Sequence, residues 1–159
     1  MSPQPIHKVL CSIDFSEFSP EVLAQAVVLA QKYGAELLVV NVVNEKAYEE
    51  LERVSGRLAM LDGVAAKAIE AEEEHRAGMM RDLLAGLKKE GEPLAGVEHS
   101  SRIAVGLPYE RILEVAEEFG ADLIVMGARG RTSFSKALRF GSTAEKIFRR
   151  ATCKVMFVR

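Results

Sequence analysis

The sequence predicts an α/β protein: a single doubly wound domain with a five-stranded parallel sheet and helices on both faces. Short apolar runs alternate with longer segments of helical periodicity along the whole chain. The first run is apolar at nearly every position, which is typical of a strand buried on both faces of a parallel sheet. We expect the strand order 3-2-1-4-5 in this sheet. We expect one domain over residues 1–159.

The chain opens with a β-α-β unit. Residues 8–13 form the first apolar run and predict the first strand. A helix follows, with Ser19 as its predicted N-cap and Pro20 in its first turn, and it ends at Gly34. Residues 37–43 predict the second strand. The helix residues predicted to face the sheet are Val22, Leu23, Ala26, Val27, Ala30 and Tyr33.

Residues 45–91 change in composition to Glu, Lys, Ala, Leu and Met, with a predicted break at Asp62 and Gly63. We interpret them as two helical pieces, of which the second is the crossover to the third strand. The first piece, up to residue 61, is longer than a crossover needs. It is either a solvated part of the crossover or a lid or partner-binding segment. The inward residues predicted for the second piece are Val64, Ala68, Ala71, Met79, Leu83 and Leu87.

The second half of the chain continues the alternation. Residues 97–105 are a more polar strand, which suits an edge of the sheet. Residues 108–119 predict a helix that stops at Gly120. Residues 123–126 are the fourth strand and residues 154–158 the fifth.

Composition excludes several classes of protein. A net charge of −2 argues against a protein that coats nucleic acid. No apolar stretch is long enough to span a bilayer, and the N-terminal residues lack the apolar core of a signal peptide, so we expect no membrane partner and a cytoplasmic location. The histidines at 7, 75 and 99 are scattered, without partners at ligand spacing, so we expect no metal site.

The segment from Gly127 to Thr143 is typical of an anion site. It is predicted to contain a strand end, a loop with further glycines at Gly130 and Gly141, and a helix that starts near Ser142. Glycines allow the backbone to approach a ligand, and a helix N-terminus favours negative charge. In the simpler alternative, the glycines only close a turn and the hydroxyls only cap the helix. The loop bases, with no acid among them, are Arg129, Arg131, Lys136 and Arg139.

Asp14 is the first polar residue after the first strand. In the predicted strand order, strands 1 and 4 are neighbours at the point where the order reverses, and ligands bind in such sheets at that point. Asp14 and Gly127 are therefore expected to face one crevice. A carboxylate there can accept hydrogen bonds from ribose hydroxyls. Alternatively, it caps the following loop through Ser16.

The sequence that contains these residues resembles the universal stress protein family. The similarity covers nearly the whole chain, including KVLCSIDFSEFS, LLVVNVVNE, VGLPYERILEVAEEFGADLIVMGARGR and CKVMFVR. One branch of the family binds ATP through a loop of pattern G-x2-G-x9-G-[ST]. Gly127, Gly130, Gly141 and Ser142 match that pattern, but ten residues, 131–140, separate the second glycine from the third where the family has nine. The extra residue either bulges at the loop tip or moves Ser142 away from the phosphates.

The resemblance implies a set of ligand contacts. Asp14 would contact ribose, Val42 would approach adenine, and Met126 with Gly127 would line the base and sugar pocket. The residues expected nearest the phosphates are Arg129, Gly130, Gly141, Ser142 and Thr143. The implied ligand is ATP, with or without magnesium.

Three functions compete. The leading hypothesis is an ATP-binding regulatory or stress-response protein with slow hydrolysis or none, because the chain has no P-loop, no nucleophile elbow and no histidine beside a nucleophile. The second is a dimeric interaction module of the same fold that binds no nucleotide. The third, an enzyme that transfers an adenylyl or phosphoryl group, would need a magnesium-binding carboxylate in the loop, which has none.

The final strand predicts a homodimer. Residues 155–158 are apolar although the strand is expected at a sheet edge, where exposed apolar backbone is an aggregation hazard. Two copies pairing antiparallel about a two-fold axis would cover both edges, and the resemblance implies the same arrangement. In the alternative, a helix or residues 45–61 fold over the edge.

Overall fold

The protein is built on one sheet of five parallel strands, in the order β3-β2-β1-β4-β5. A computed structural model describes residues 4–49, 53, 63–89, 94–129 and 140–159. The strands are β1 (Lys8–Ser12), β2 (Glu36–Asn44), β3 (His99–Gly106), β4 (Leu123–Gly127) and β5 (Lys154–Val158). The predicted fold class and strand order are confirmed.

Helices cover both faces of this sheet. They are α1 (Ser19–Tyr33), α2 (Val64–Lys89), α3 (Pro108–Phe119) and α4 (Ser142–Arg150). Val9, Cys11 and Val39 point to the face covered by α1 and α2. Leu10 and Val40 point to the opposite face, covered by α3 and α4. Successive side chains of a strand alternate between faces, so β1 is buried on both sides, as its apolar run predicts.

The structure confirms most of the residues predicted for helix α1 and contradicts two parts of that prediction. Its predicted inward residues are buried except Tyr33, which is 48% exposed in the last turn. The N-cap residue is Phe18, and no side chain caps the helix, so Ser19 is not the N-cap. The Ser19 hydroxyl instead donates to Asp14 Oδ1 at 3.3 Å. The hydroxyl therefore bonds to the turn before the helix instead of to a backbone amide of the helix.

The structure confirms the C-terminal part of the stripe predicted for helix α2, because Leu87 is buried and Leu83 packs against the core. The rest of the helix is rotated relative to the prediction, and Ala71 is exposed. Met80 is buried at 1% exposure, whereas Met79 is 37% exposed. The buried positions Ala65, Met80 and Leu87 define the face that packs on the sheet. Arg76 lies one turn before Met80, and residues four apart share a helix face. The rotation therefore brings a cation, rather than an apolar side chain, to the sheet.

The two sheet edges differ as the sequence predicts. Along β3, residues 100–102 are exposed and polar. Along β5, residues 155–158 are apolar and half-buried. Residues 46–49 are helical, and most of the segment from residue 45 to residue 61 lies outside the described residues, so its proposed role as a lid or an edge cover stays a prediction.

Candidate functional site

A cleft of about 470 Å³ lies at the carboxyl ends of β1, β2 and β4. Strand β1 pairs with β2 on one side and β4 on the other, so this is the point where the strand order reverses. Gly130 lies outside the described residues. The predicted site residues that line the cleft are Asp14, Val42, Met126, Gly127, Arg129, Gly141, Ser142 and Thr143. One concave surface thus collects residues from positions far apart in the sequence.

The base of the loop after β4 is closed by two backbone hydrogen bonds. The Gly141 amide donates to the Ala128 carbonyl at 2.8 Å, and the Ala128 amide donates to the Val158 carbonyl at 2.8 Å. The additional residue of the loop falls within residues 131–140, between these anchored ends. It therefore leaves Gly141 and Ser142 beside the end of β4 and on the cleft.

Helix α4 begins at the cleft with backbone donors that its own turns do not use. Its N-cap is Gly141, with an extended backbone and no side-chain capping bond. The first backbone bond into the helix runs from the Glu145 amide to the Gly141 carbonyl at 3.0 Å. The amides of Ser142, Thr143 and Ala144 precede that bond and have no carbonyl within the helix to bind. The N-cap position belongs to Gly141 and not to Ser142 or Thr143, against the alternative in which these hydroxyls only cap the helix.

Asp14 stands at the end of β1 and holds the turn that follows. Its Oδ1 accepts hydrogen bonds from the Ser16 amide at 3.0 Å and the Ser19 hydroxyl at 3.3 Å. The loop-capping role through Ser16 is thus present. A carboxylate has about four lone-pair positions, so these two bonds do not by themselves exclude a contact with a ligand. Phe15 follows with φ of 56°, a left-handed conformation that turns the chain sharply out of the sheet.

Arg76 and Asn41 are among the cleft residues that sequence reasoning missed, and they are joined by a hydrogen bond. Arg76 Nη1 donates to Asn41 Oδ1 and to the Val42 carbonyl, both at 2.9 Å. Asn41 is 2% exposed, and its Nδ2 donates to the Ile13 carbonyl at 2.8 Å. Arg76 Nε donates to Glu72 Oε1 at 2.6 Å. A polar residue in the middle of the apolar run LLVVNVV was the available signal.

Known proteins share the sequence pattern and the fold of this chain. The sequence profile of the universal stress protein family matches residues 5–159. The chain belongs to the universal stress protein family. Universal stress protein YxiE of Bacillus subtilis is 32% identical over 96% of this chain and 99% of its own length. A universal stress protein of Methanocaldococcus jannaschii is 28% identical over 96% of this chain and 94% of its own.

A solved structure supports the same assignment. Universal stress protein UspA from Lactobacillus plantarum superposes with a TM-score of 0.79 at 26% identity, covering 99% of this chain and 100% of that one. This universal stress protein therefore has the fold of its family along nearly its whole length.

The charged groups of the cleft favour an anion over a metal ion. Arg76 and Arg129 line it, and Asp14 is the single acid among the described residues that do so. Within the described ranges, no group of three His, Cys, Asp or Glu side chains could hold a metal ion. Among the described residues of this universal stress protein, no helix is long and apolar enough to cross a membrane.

Neither cysteine lies in the cleft. Cys11 is fully buried in β1, and burial raises the pKa of its thiol. Cys153 is half-buried just before β5, and burial raises its pKa as well. A raised pKa keeps a thiol protonated and unreactive, so both behave as small apolar side chains.

Proposed function

We propose that this universal stress protein binds ATP as a regulatory ligand in the cleft between β1 and β4. One observation carries the proposal: Asp14, Gly127 and the open N-terminus of α4 converge on a single cleft at the switch point. Its volume of about 470 Å³ lies within the usual range for small-molecule sites. We also propose a cytoplasmic location.

The strand order sets the orientation of the nucleotide. The phosphates belong at β4, where Arg129 supplies positive charge and the first amides of α4 supply hydrogen-bond donors. Strand β1 separates β4 from β2, so these ends are two strand spacings apart, roughly 10 Å. That distance is comparable to the reach from a phosphate to its nucleobase. The ribose then lies over Asp14 and the base beside Val42.

Related proteins support an adenine nucleotide as the ligand class. One universal stress protein has been solved in complex with cAMP, at 20% identity and a TM-score of 0.63. A universal stress protein from Archaeoglobus fulgidus has been solved in complex with dAMP, at 23% identity and a TM-score of 0.60. Each of these ligands was bound by the other universal stress protein and not by this chain. The two complexes show that this fold accommodates adenine nucleotides, and ATP in this chain is our proposal.

We propose binding with slow hydrolysis or none. Among the described residues lining the cleft, Asp14 is the only carboxylate, and its Oδ1 already holds Ser16 and Ser19. General-base catalysis needs a group within hydrogen-bond reach of the attacking water at the γ-phosphate. Asp14 lies on β1, toward the ribose in our orientation. Magnesium, when present, would bind with the phosphates and supply charge neutralisation there.

The test is whether the purified protein carries or takes up nucleotide. Mass spectrometry after denaturation should detect ATP or its product released from the protein. Titration calorimetry on nucleotide-free protein should then give one ATP site per chain. Absence of saturable binding at millimolar ATP would contradict the proposal.

A dimeric interaction module is a second candidate function, favoured by one surface. Phe148 is 70% exposed and Phe140 is 41% exposed. Both rings pack on Phe157 of β5, with centroids at 6.4 Å and 5.1 Å. Exposed aromatic clusters mark protein interaction sites more often than isolated exposed residues do. We propose a homodimer through the β5 edge, which is compatible with either function.

A further inference from the structure

The Val42 carbonyl is placed to read the edge of a nucleobase. The Ile13 amide donates to the Val40 carbonyl at 3.0 Å, so the backbone groups of Val40 face β1. In a parallel ladder, residues two apart direct their backbone groups to the same side. The Val42 carbonyl therefore also faces the β1 side, but beyond the last β1 residue, where Val42 lines the cleft.

Arg76 already occupies this carbonyl. Its Nη1 donates to Val42 O and to Asn41 Oδ1, both at 2.9 Å, and its Nε donates to Glu72. The side chain of Arg76 is only 14% exposed. Asn41 is itself fixed by its bond to the Ile13 carbonyl at 2.8 Å. The guanidinium is thus held in one position by groups from β2, α2 and the end of β1.

The position of Arg76 distinguishes two kinds of purine. A 6-amino purine presents a hydrogen-bond donor at its exocyclic group, whereas a 6-oxo purine presents an acceptor there. The Val42 carbonyl has two lone pairs, so the amino group can donate to it only beside the guanidinium, and sharing the acceptor weakens that bond. Among the described residues, no acceptor is bonded to Nη2 of Arg76, so a 6-oxo group can accept from the guanidinium without displacing it.

We propose that Arg76 is a specificity-determining residue that lowers the preference of this site for 6-amino purines over 6-oxo purines. The inference rests on the proposed function, because it requires a purine nucleotide with its base beside Val42. The inference goes beyond the proposed function because it assigns the selection of the base to a residue of α2.

The test compares ATP with ITP, which carries a 6-oxo group in place of the 6-amino group. For the wild type we expect dissociation constants within about fivefold of each other, since a guanidinium that serves the oxo group offsets the lost amino contact. Arg76→Met frees the Val42 carbonyl and removes the donor, so it should shift the ratio toward ATP by about tenfold or more. Arg81→Met, an exposed arginine of the same helix, is the matched control and should leave the ratio unchanged.

An unchanged ratio in a folded Arg76→Met variant would overturn the inference while leaving nucleotide binding intact. Failure of the wild type to bind either nucleotide would overturn the proposed function, and the inference with it.

A second test needs only the wild-type protein, so it does not depend on whether the Arg76→Met variant folds. The triphosphate of purine riboside, which lacks the 6-amino group, should bind within about threefold of ATP if Arg76 holds the carbonyl. A loss of tenfold or more would mean that the amino group reaches Val42, against the inference.

Discussion

The amide of Gly141 donates a hydrogen bond of 2.8 Å to the carbonyl of Ala128. This bond joins the residue after β4 to the N-cap of α4, so both ends of the intervening loop are fixed on the same side of the cleft. The spacing of the cleft groups is consequently set by the sheet and the helix.

Gly127 should be intolerant of a side chain. A Cβ atom there would lie 3.2 Å from the Arg129 carbonyl oxygen and 3.7 Å from Val22 Cγ2, so the start of the loop must shift. We expect Gly127→Ala to remain folded and to lose about tenfold or more in ATP affinity by calorimetry, because displaced donors lose their hydrogen bonds.

Gly86→Ala is the matched control for Gly127→Ala. An added Cβ at this helical glycine of α2 meets no atom within 4 Å. The variant should bind ATP as the wild type does and should gain roughly 0.5–1 kcal/mol in the free energy of unfolding, because alanine loses less backbone entropy than glycine. Wild-type affinity in folded Gly127→Ala would show that the start of the loop does not contribute to the site.

Asp14→Asn should separate ligand binding from folding. The amide oxygen can still accept from the Ser16 amide and the Ser19 hydroxyl, so the midpoint of urea unfolding should change little. Loss of a charged acceptor for the ribose hydroxyls should reduce ATP affinity by roughly ten- to a hundred-fold, equivalent to ~1.5–3 kcal/mol. Equal affinity of the wild type for ATP and its 2′,3′-dideoxy analogue would exclude Asp14 from the ribose contact.

Val155→Pro should disrupt the homodimer without breaking the sheet. The Lys154 amide donates to the Asp122 carbonyl, and the Val158 carbonyl accepts from Ala128, so even-numbered residues of β5 direct their backbone groups to β4. The Val155 amide therefore points to the open edge, where proline removes a donor that only a partner strand would use. Light scattering should show a shift from dimer toward the monomer mass of 17.5 kDa.

Met156→Lys should have the same effect on the dimer through its charge. Ser101→Lys, at an exposed position on the opposite edge strand β3, is the control and should preserve the dimer. A wild-type protein that is monomeric at tens of micromolar would mean that its own chain covers the β5 edge.

Asp122 should contribute stability in a pH-dependent way. The amides of His7 and Lys8 donate to its Oδ2 at 2.8 Å and 3.0 Å, and the bond from His7 is the main cause of its lowered pKa. A pKa lowered in the folded state gives stability that is present above the unfolded pKa, about 4, and is lost as pH falls through the folded value. Asp122→Asn should therefore be less stable than the wild type at pH 7, with the difference shrinking under acid.

Urea unfolding from pH 7 to about pH 2.5 measures this difference directly. Asp82→Asn, on an exposed position of α2, is the control and should follow the wild-type curve throughout. A difference between Asp122→Asn and the wild type that is constant over this range would show that the charge of Asp122 is not responsible.

Strand order and the position of the cleft were predictable because they depend on patterns that the sequence carries locally. Apolar runs mark strands, and the alternation with helices restricts their order. The polar third strand and the apolar fifth strand lie at opposite edges, as expected. Gly127 is the last residue of β4 and Asp14 lies two residues after the end of β1, so neighbouring strands were sufficient to bring them together.

Arg76 and Ser19 could not be predicted in the same way, because Arg76 depends on tertiary partners and Ser19 on the conformation of the turn before α1. The apolar residues of α2 allow more than one rotation on the sheet, and only packing selects the one with Met80 inward and Arg76 at the cleft. Ser19 has the composition of an N-cap, yet its hydroxyl reaches back to Asp14 across the turn. Propensity was overridden by one side-chain contact.

The cleft is assembled from segments that lie almost 130 residues apart in the chain, from Asp14 to Thr143. No fragment containing only the first or only the second half of the sequence holds both the carboxylate and the helix N-terminus. A ligand seated there would cross-link β1, β2 and β4, so its binding free energy would add to global unfolding rather than to the opening of a single loop. Slowed hydrogen exchange on addition of ligand should therefore extend through the central strands, well beyond the residues in contact.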